Sequence, residues 1–369
     1  MKVWYIWDFP DRIYIKLKKD YNIRLFHFLF KKFGGIRPAG RKFGLSQATI
    51  KGYYKQYFKK NNKIYDQYCP LYILKRFKPE LSQDIIDEFE KNIEFIRVRH
   101  GSPIKINLPL KELPEMYRIV AHMIGDGCAG IRKVPIYVNT CTTLRKQFKR
   151  DLTAVFGAGI KNYIYETIPN STPNVNFPKV LSDILKYIFQ VKFSFPDKLP
   201  NTLFTTSDSN KIVFLRALFD DEGYASTAVG ISMKSEKIIR QIQELLIKLE
   251  IKTTNISKKE GDLFTVNIRE AEIEKFQKIV NFDHPFKRER LKLRMRIKER
   301  NKIMRTRPLE YTRNKILDLL RDKPMITFEL CEILLLTVSG IYHHLDYLEE
   351  MKLIQRTGFK NKVTWKAMV

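Results

Sequence analysis

Residues 119–127 read IVAHMIGDG, and residues 215–223 read LRALFDDEG. In both stretches apolar residues recur at the spacing of one helical face, and both stretches end on an acid followed by a glycine. Glycine readily adopts the left-handed conformation that ends many helices. The pattern therefore predicts two related helices, one ending at Asp126 and the other at Glu222. Small or short side chains four residues apart on each helix predict that the two helices cross closely.

The two acids lie where a negative charge is unfavourable. The C-terminus of a helix carries a partial negative charge, so it disfavours a carboxylate, and a second carboxylate nearby increases the repulsion. A bound divalent cation would place positive charge there and make both carboxylates favourable. Because the ligands would be oxygens, with no Cys or His cluster nearby, we expect Mg²⁺ or Mn²⁺ at Asp126 and Glu222. The alternative is that each acid and its glycine form a solvated helix end.

The order of elements after each acid is also repeated. Strand-like and helical segments follow in the order α, β, β, α, β, β, α in both halves, at nearly equal length. This order predicts an α+β fold made of two pseudo-symmetric repeats. Each repeat would form a half-open sheet with one face packed on helices and one polar face.

These segments resemble the two signature helices of the LAGLIDADG (dodecapeptide) homing endonucleases, in the single-chain form with two repeats. The second stretch is close to the family pattern, and the first departs from it at His122 and Ile124. The resemblance covers roughly residues 108–300. It implies a site-specific endonuclease that hydrolyses both strands of double-stranded DNA with Mg²⁺, with Asp126 and Glu222 as catalytic and metal-binding acids.

The same resemblance implies further site residues. The family places a lysine near each metal site, after the last helix of each repeat, which points to Lys198 and Lys287. Lys234, just before the middle helix of the second repeat, is a third candidate; near the equivalent place the first repeat has Cys141. The family's paired sheets lie across the major groove. The residues expected to face that groove are Tyr137, Asn139, Thr227 and Ser232.

Composition agrees with a polyanionic partner. The 68 Lys and Arg against 40 Asp and Glu leave a net charge of +28, spread along the whole chain, and neutralising phosphates releases counterions. A ribosomal or membrane-surface protein would share this charge. The 4 cysteines are scattered, and the sequence pattern leads us to expect neither a secretory segment nor a membrane-spanning run. We therefore expect a cytoplasmic monomer with reduced thiols, associated with the nucleoid if the cell is prokaryotic.

Two flanking modules also suggest DNA binding. Residues 24–57 predict a helix-turn-helix that turns at Gly44 and continues from an N-cap at Ser46. Its outward residues would touch bases and phosphates, although generic three-helix packing gives a similar pattern. These outward residues are Gln47, Thr49, Lys51 and Lys55. Residues 81–97 predict an amphipathic packing helix.

After residue 303 the pattern of three helices and two short strands predicts a winged helix, with Ser339 capping the third helix. Its groove-facing and wing-tip residues are Ser339, Tyr342, His343, Lys360 and Lys362. A basic helix precedes it, in which Arg288 and Arg290 are expected to contact phosphates. Alternatively, the basic helix is simply solvated, and the wing binds protein instead of DNA. The pair His343 and His344 could also bind a metal ion, but the sequence offers no third ligand at a suitable spacing.

The sequence thus predicts a helical region at 1–107, an endonuclease core at 108–303 and a winged helix at 304–369. The chain begins with an ordinary Met and ends Lys-Ala-Met-Val, which argues against intein splicing. The principal alternative is a transcriptional regulator with an inactive core of the same fold. An inactive binder has no reason to keep both acids. A third alternative is an RNA-binding or RNA-maturation factor.

Overall fold

The computed structural model describes residues 2–60, 63–130, 134–168, 172–226, 228–303, 308–358 and 363–368. The chain forms two compact units, Met1–Phe214 and Leu215–Val369. Neither unit coincides with a predicted domain, and the predicted borders at 107/108 and 303/304 stay predictions. Within the described residues, no helix is both long enough and apolar enough to cross a membrane.

The N-terminal region holds the helices predicted over residues 24–57 and a sheet that was not predicted. Its elements are β1 (Val3–Trp4), β2 (Ile13–Leu17), α1 (Lys19–Phe33), α2 (Ile36–Lys42), α3 (Gln47–Lys55), β3 (Tyr57–Lys60), β4 (Lys63–Asp66), β5 (Cys69–Pro70), α4 (Leu71–Phe77), α5 (Gln83–Glu88) and β6 (Ile93–Val98). Strands β5, β2 and β6 form an antiparallel sheet, β3 pairs with β4, and β1 pairs with β7 (Leu110–Lys111).

The helix-turn-helix is confirmed at α2 and α3. Gly44 has a φ of 65°, which glycine adopts without a steric penalty. The Ser46 hydroxyl accepts a hydrogen bond from the Thr49 amide at 3.1 Å and so caps α3. The hairpin of β3 and β4 follows α3 directly. The N-terminal module is therefore a helix-turn-helix with a β-hairpin in the position of a wing.

The helix predicted over residues 81–97 is wrong. Only Gln83–Glu88 is α-helical, and Ile93–Val98 is a strand that pairs with β2. Buried Ile93 and Ile96 lie in that strand. Branched residues suit a pleated surface, so pairing with β2 outweighs the helical spacing of the apolar residues.

The two repeats share one topology, as predicted. The first has α6 (Pro114–Gly125), β8 (Gly127–Cys128), β9 (Ile136–Val138), α7 (Thr142–Phe156), β10 (Tyr165–Thr167), β11 (Asn174–Asn176) and α8 (Lys179–Phe189). The second has α9 (Asp208–Glu222), β12 (Gly223–Ala225), β13 (Val229–Met233), α10 (Glu236–Lys248), β14 (Ser257–Lys259), β15 (Leu263–Asn267) and α11 (Ile273–Ile279). The sheet orders β8-β9-β11-β10 and β12-β13-β15-β14 correspond strand by strand.

The glycines after the two acids have a different role from the predicted one. Gly127 and Gly223 are not among the residues with positive φ, so the predicted left-handed caps are wrong. Each glycine instead lies against its own helix. A Cβ on Gly127 would lie 2.4 Å from the Met123 Cα, and one on Gly223 would lie 2.6 Å from the Phe219 carbonyl oxygen. The strand leaves the helix so closely that any side chain would collide with the helical backbone.

The C-terminal part is a winged helix joined to a long basic helix. Its elements are α12 (Pro285–Ile303), α13 (Leu309–Asp322), β16 (Met325–Ile326), α14 (Thr327–Leu334), α15 (Val338–Glu350), β17 (Ile354–Thr357) and β18 (Thr364–Ala367). The Thr337 hydroxyl caps α15 by accepting from the Gly340 amide, so the cap predicted at Ser339 is wrong. Leu293 and Ile297 of α12 belong to the same buried core as Trp365. The basic helix is therefore part of the winged-helix core.

A buried carboxyl in the first repeat gives a pH-dependent prediction. Asp151 is 4% exposed and accepts from the Arg118 guanidinium at 2.8 Å. Burial raises its pKa to about 6, against the lowering effect of Arg118. The folded chain therefore keeps this proton to higher pH than the unfolded chain, and the stability it contributes is lost as pH rises through 6. The free energy of unfolding should therefore fall by about 2–3 kcal/mol between about pH 4 and pH 7.

We expect Asp151→Asn to remove this part of the pH dependence. Urea unfolding of both proteins across that pH range measures it, with Asp208→Asn, an exposed acid, as the control. A difference between the wild type and Asp151→Asn that stays constant with pH would contradict the prediction.

Candidate functional site

The acid of the first repeat ends α6 and is held in place by the neighbouring strand. The Asp126 amide donates to the His122 carbonyl, and the Asp126 carbonyl accepts from the Val138 amide, each at 3.0 Å. The Asn139 side-chain amide donates to the Asp126 carboxylate at 2.9 Å. Asn139 in turn accepts from the Cys141 amide at 2.8 Å. The half-exposed carboxylate of Asp126 therefore has a fixed orientation.

Two residues predicted to face a DNA groove have other roles. Tyr137 is completely buried, with its ring 4.6 Å from Phe148 and 4.8 Å from His122. Asn139 is 9% exposed and orients Asp126. Both predictions are wrong because strand alternation leaves the inward face undetermined until the sheet packs on its helices. Thr227 lies outside the described residues.

The acidic end of α9 uses its three carboxylates differently. Asp220 is 2% exposed and accepts from the backbone amides of Asp283 and His284, at 2.8–3.2 Å. It therefore secures the segment that leads into α12. Asp221 and Glu222 are half-exposed at the end of the helix. Solvent therefore reaches Asp221 and Glu222 more readily than the buried Asp220.

Lys287 lies at this same helix end. Its ammonium donates to the carbonyl oxygens of Phe219, Asp220 and Asp221, at 3.2, 2.5 and 3.2 Å. A cation there offsets the partial negative charge of the helix terminus. The structure thus brings Lys287 to the turn that carries Glu222, within the second compact unit. Its catalytic role stays a prediction.

The other two predicted lysines have looser surroundings. Lys198 is half-exposed in the segment after α8. Ser194 of that segment accepts from the Ala129 amide at 3.1 Å, so the segment passes beside the chain that follows Asp126. Lys234 is exposed just before α10. Asp126 belongs to the first compact unit and Glu222 to the second, so the pairing of the two acids stays a prediction.

Sequence reasoning did not identify His284. Its side chain is half-buried, and burial, followed by the nearby Lys287 ammonium, lowers its pKa, while Asp221 acts in the opposite direction. At neutral pH the imidazole is therefore uncharged. A neutral imidazole near Asp221 can accept a proton. The sequence could have indicated His284 because it lies three residues before Lys287. The many basic residues of this segment indicated phosphate contacts instead.

The open sheet faces carry polar residues that the sequence did not single out. In the first repeat, cross-strand partners place Tyr165, Thr167, Asn174 and Asn176 on one face. In the second repeat, Ser232 and Thr265 are bonded at 2.7 Å, and Tyr224 donates to Asn267 at 2.6 Å. The opposite faces carry buried residues such as Val175 and Ile231. Ser232 is the one described residue of the predicted set that lies on an open, polar face.

The flanking modules expose most of the residues predicted to contact DNA. In the N-terminal module Gln47, Lys51 and Lys55 are exposed and Thr49 is half-exposed. On α15, Ser339, Tyr342 and His343 are exposed. His344, the second member of the predicted histidine pair, is 6% exposed and part of the interior. Lys360 and Lys362 lie outside the described residues.

The two arginines of α12 that were predicted to contact phosphates differ in exposure. Arg288 is exposed. The Arg290 guanidinium is half-buried, 4.3 Å from the ring centroid of Phe286 and 5.9 Å from that of Phe328. Arg290 therefore stabilises the junction of α12 with α14. Contact of either arginine with phosphate stays a prediction.

The donors at the two acidic turns suit a hard cation. The carboxylates of Asp126, Asp221 and Glu222 supply oxygen atoms at helix ends that carry a partial negative charge. In the described part of the chain, no group of three or more His, Cys, Asp and Glu residues forms a metal cluster by itself. A cation at these turns would therefore complete its coordination with water or a ligand's oxygens, as Mg²⁺ usually does.

Comparison with known families supports the interpretation of two parts of the chain. Residues 209–281 match the family model of the LAGLIDADG-like domain. Residues 311–356 match that of bacterial regulatory proteins of the arsR family. The chain therefore contains a LAGLIDADG-like domain and an arsR-type helix-turn-helix, which confirms the resemblance for the second repeat and the winged helix. No curated protein sequence matches the chain.

Several solved structures are similar to this chain at low identity. The homing endonuclease I-DmoI in complex with DNA and Mn is 12% identical over 45% of this chain and 96% of that chain, with a TM-score of 0.36. I-DmoI with DNA and Ca is 13% identical over 47% of this chain and 93% of that chain, with a TM-score of 0.36. Full-length DUF199/WhiA from Thermatoga maritima is 13% identical over 66% of this chain and 93% of that chain, with a TM-score of 0.35.

Proposed function

We propose that this protein binds double-stranded DNA at specific sites and cleaves both strands with Mg²⁺ or Mn²⁺. The observation that carries the proposal is the equivalence of two turns. In both repeats a helix ends on a half-exposed carboxylate, and a strand then leaves that helix through a glycine that cannot be substituted without collision. A binding protein that does not cut has no need for both carboxylates.

Each acid has support suited to a reactive site. Asn139 orients the Asp126 carboxylate, and Lys287 places a positive charge at the helix end that carries Glu222. When bound at these acids, a divalent cation supplies an activated water and stabilises charge on the phosphate and the leaving oxygen. The Lys287 ammonium adds to charge stabilisation. The neutral His284 imidazole, which interacts electrostatically with Asp221, can accept a proton.

DNA affinity comes from the remainder of the chain. The net charge of +28 and the exposed cations of α3 supply attraction to phosphate that does not depend on sequence. The exposed polar side chains of α15 and of the two open sheet faces can read base edges. Since one chain carries both acids, a single copy is sufficient for cutting both strands.

A transcriptional regulator is the second candidate, and the match of residues 311–356 to the arsR regulatory family favours it. A plasmid library with random duplex inserts separates the two functions. The protein is incubated with the library and Mg²⁺, and both the bound and the broken molecules are sequenced. Double-strand breaks at one recurring sequence, absent with EDTA, support the endonuclease; recurrent binding without breaks would leave the regulator.

The orienting amide gives a graded prediction. Asn139→Ala removes the donor to Asp126, so we expect cleavage to slow by about 10–100-fold, as when a residue supporting a metal ligand is lost. DNA affinity should change little, because Asn139 is buried. The measurement is the cleavage rate on the recovered duplex at saturating protein. Asn210→Ala is the matched control, since Asn210 is 7% exposed in the same compact unit and its side-chain amide donates to the Thr206 hydroxyl at 2.8 Å. Equal rates for the two variants would contradict the role of Asn139.

A further inference from the structure

The segment between α8 and the helical turn Asn201–Phe204 presents one phenylalanine to solvent. Phe195 is 95% exposed, the largest exposed fraction of any large apolar side chain among the described residues. Its neighbours in the segment are buried, with Phe193 at 1% and Leu199 at 0%. Single exposed apolar side chains are common on protein surfaces, so the exposure of Phe195 gains weight only from its backbone and its position.

The backbone at Phe195 is held in an unfavourable conformation. Its φ of 53° is in the left-handed region, which bulky residues rarely adopt. Pro196 follows directly, and a proline restricts the residue before it to extended conformations. Strain of this kind persists where surrounding structure enforces it, and such sites are commonly functional.

The segment is anchored beside the first acidic turn. Ser194 accepts from the Ala129 amide at 3.1 Å, and the Lys186 ammonium donates to the Ala129 carbonyl at 2.7 Å. Ala129 lies three residues after Asp126, and Lys198 lies three residues after Phe195. A duplex that brought a phosphate to Asp126 would pass beside this segment.

We propose that Phe195 is a wedge that inserts between adjacent base pairs of bound duplex DNA near the first acidic turn. This inference rests on the proposed function, because it requires duplex DNA at Asp126. Proteins that distort DNA insert apolar side chains, phenylalanine and leucine among them, into a base step, partly unstack it and kink the helix. The anchored, strained backbone provides the rigidity that such insertion needs. The kink would open the duplex for metal-assisted attack on a phosphate.

The test uses the duplex recovered from the random library, with Ca²⁺ in place of Mg²⁺ to limit cutting. 2-Aminopurine is placed in turn at each position, because its fluorescence rises when it is unstacked. We expect the full-length wild type to raise the fluorescence at one base step. Phe195→Ala should abolish that rise and weaken binding by about 5–100-fold, the range for loss of one base–aromatic contact. Phe195→Leu should retain part of both effects. Tyr72→Ala, which removes another exposed ring of the same unit, should leave both unchanged.

The outcomes separate this inference from the proposed function. If the wild type binds and Phe195→Ala unstacks the same step with equal affinity, the wedge is refuted while DNA binding stands. If Phe195→Ala leaves DNA binding intact but abolishes self-association of the protein in sedimentation, the ring is a protein contact and the wedge is equally refuted. If the wild type recovers no duplex from the library, the proposed function itself fails.

Discussion

Asp126→Asn and Glu222→Gln should each reduce double-strand cleavage by about a thousandfold or more while preserving DNA binding. Each substitution keeps the shape of the side chain and removes the charge that attracts a divalent cation. A metal ion contributes several kcal/mol of charge stabilisation to hydrolysis, and each 1.36 kcal/mol is a factor of ten in rate. Affinity should stay equal or increase slightly, because a negative charge near phosphates is removed.

The measurement is single-turnover cleavage of the recovered duplex, with binding followed separately in Ca²⁺. Asp208→Asn is the control, since Asp208 is an exposed acid at the opposite end of the same α9 helix. It should cleave like the wild type. Cleavage by Asp126→Asn and Glu222→Gln at the rate of Asp208→Asn would show that neither carboxylate acts in the reaction.

Trp365→Ala should have the largest effect on folding, and it should be confined to the C-terminal module. Trp365 is 1% exposed, and its indole nitrogen donates to the Thr327 hydroxyl at 3.1 Å. Replacing a buried tryptophan by alanine costs about 3–5 kcal/mol, which is of the order of the whole stability of a small module. We expect the winged helix to unfold under mild denaturant and α12 to lose the partners of Leu293 and Ile297.

Limited proteolysis and DNA binding measure this effect. Cleavage of Trp365→Ala by a protease should concentrate after residue 284, and the dependence of DNA affinity on salt should become weaker, because the module's phosphate contacts are lost. Tyr311→Ala, at a tyrosine that is 56% exposed on α13, should behave like the wild type. An unchanged salt dependence in Trp365→Ala would mean that the winged helix does not contact DNA.

The sequence predicted those features that follow from periodicity and local chemistry. The order α, β, β, α, β, β, α was readable twice because helical and alternating patterns each persist over several residues. The turn at Gly44 and the cap at Ser46 were readable because few residues serve those positions. The winged helix was readable for the same reasons. Such signals are local and survive any arrangement of the rest of the chain.

The predictions that were wrong concern features that depend on tertiary packing. Tyr137 and Asn139 were assigned to the wrong face because alternation has no absolute reference before the sheet meets α7. Residues 93–98 form a strand because β2 is available as a partner, which helical spacing cannot reveal. The glycines after the acids are required by close approach to the helix, and a sequence does not distinguish that need from a need for positive φ. The exposure of Phe195 likewise required the structure, since its aromatic type predicts burial.

The proposed cleavage requires that Asp126 and Glu222 bind divalent cations when DNA is bound. The most direct measurement is the EPR signal of free Mn²⁺ during titration into the protein with its recovered duplex, compared with the Asp126→Asn, Glu222→Gln double variant. We predict that the wild-type complex removes Mn²⁺ from solution. The variant complex should bind less Mn²⁺, in an amount equal to that bound by the free duplex. Equal uptake of Mn²⁺ by the wild-type and variant complexes would contradict the claim.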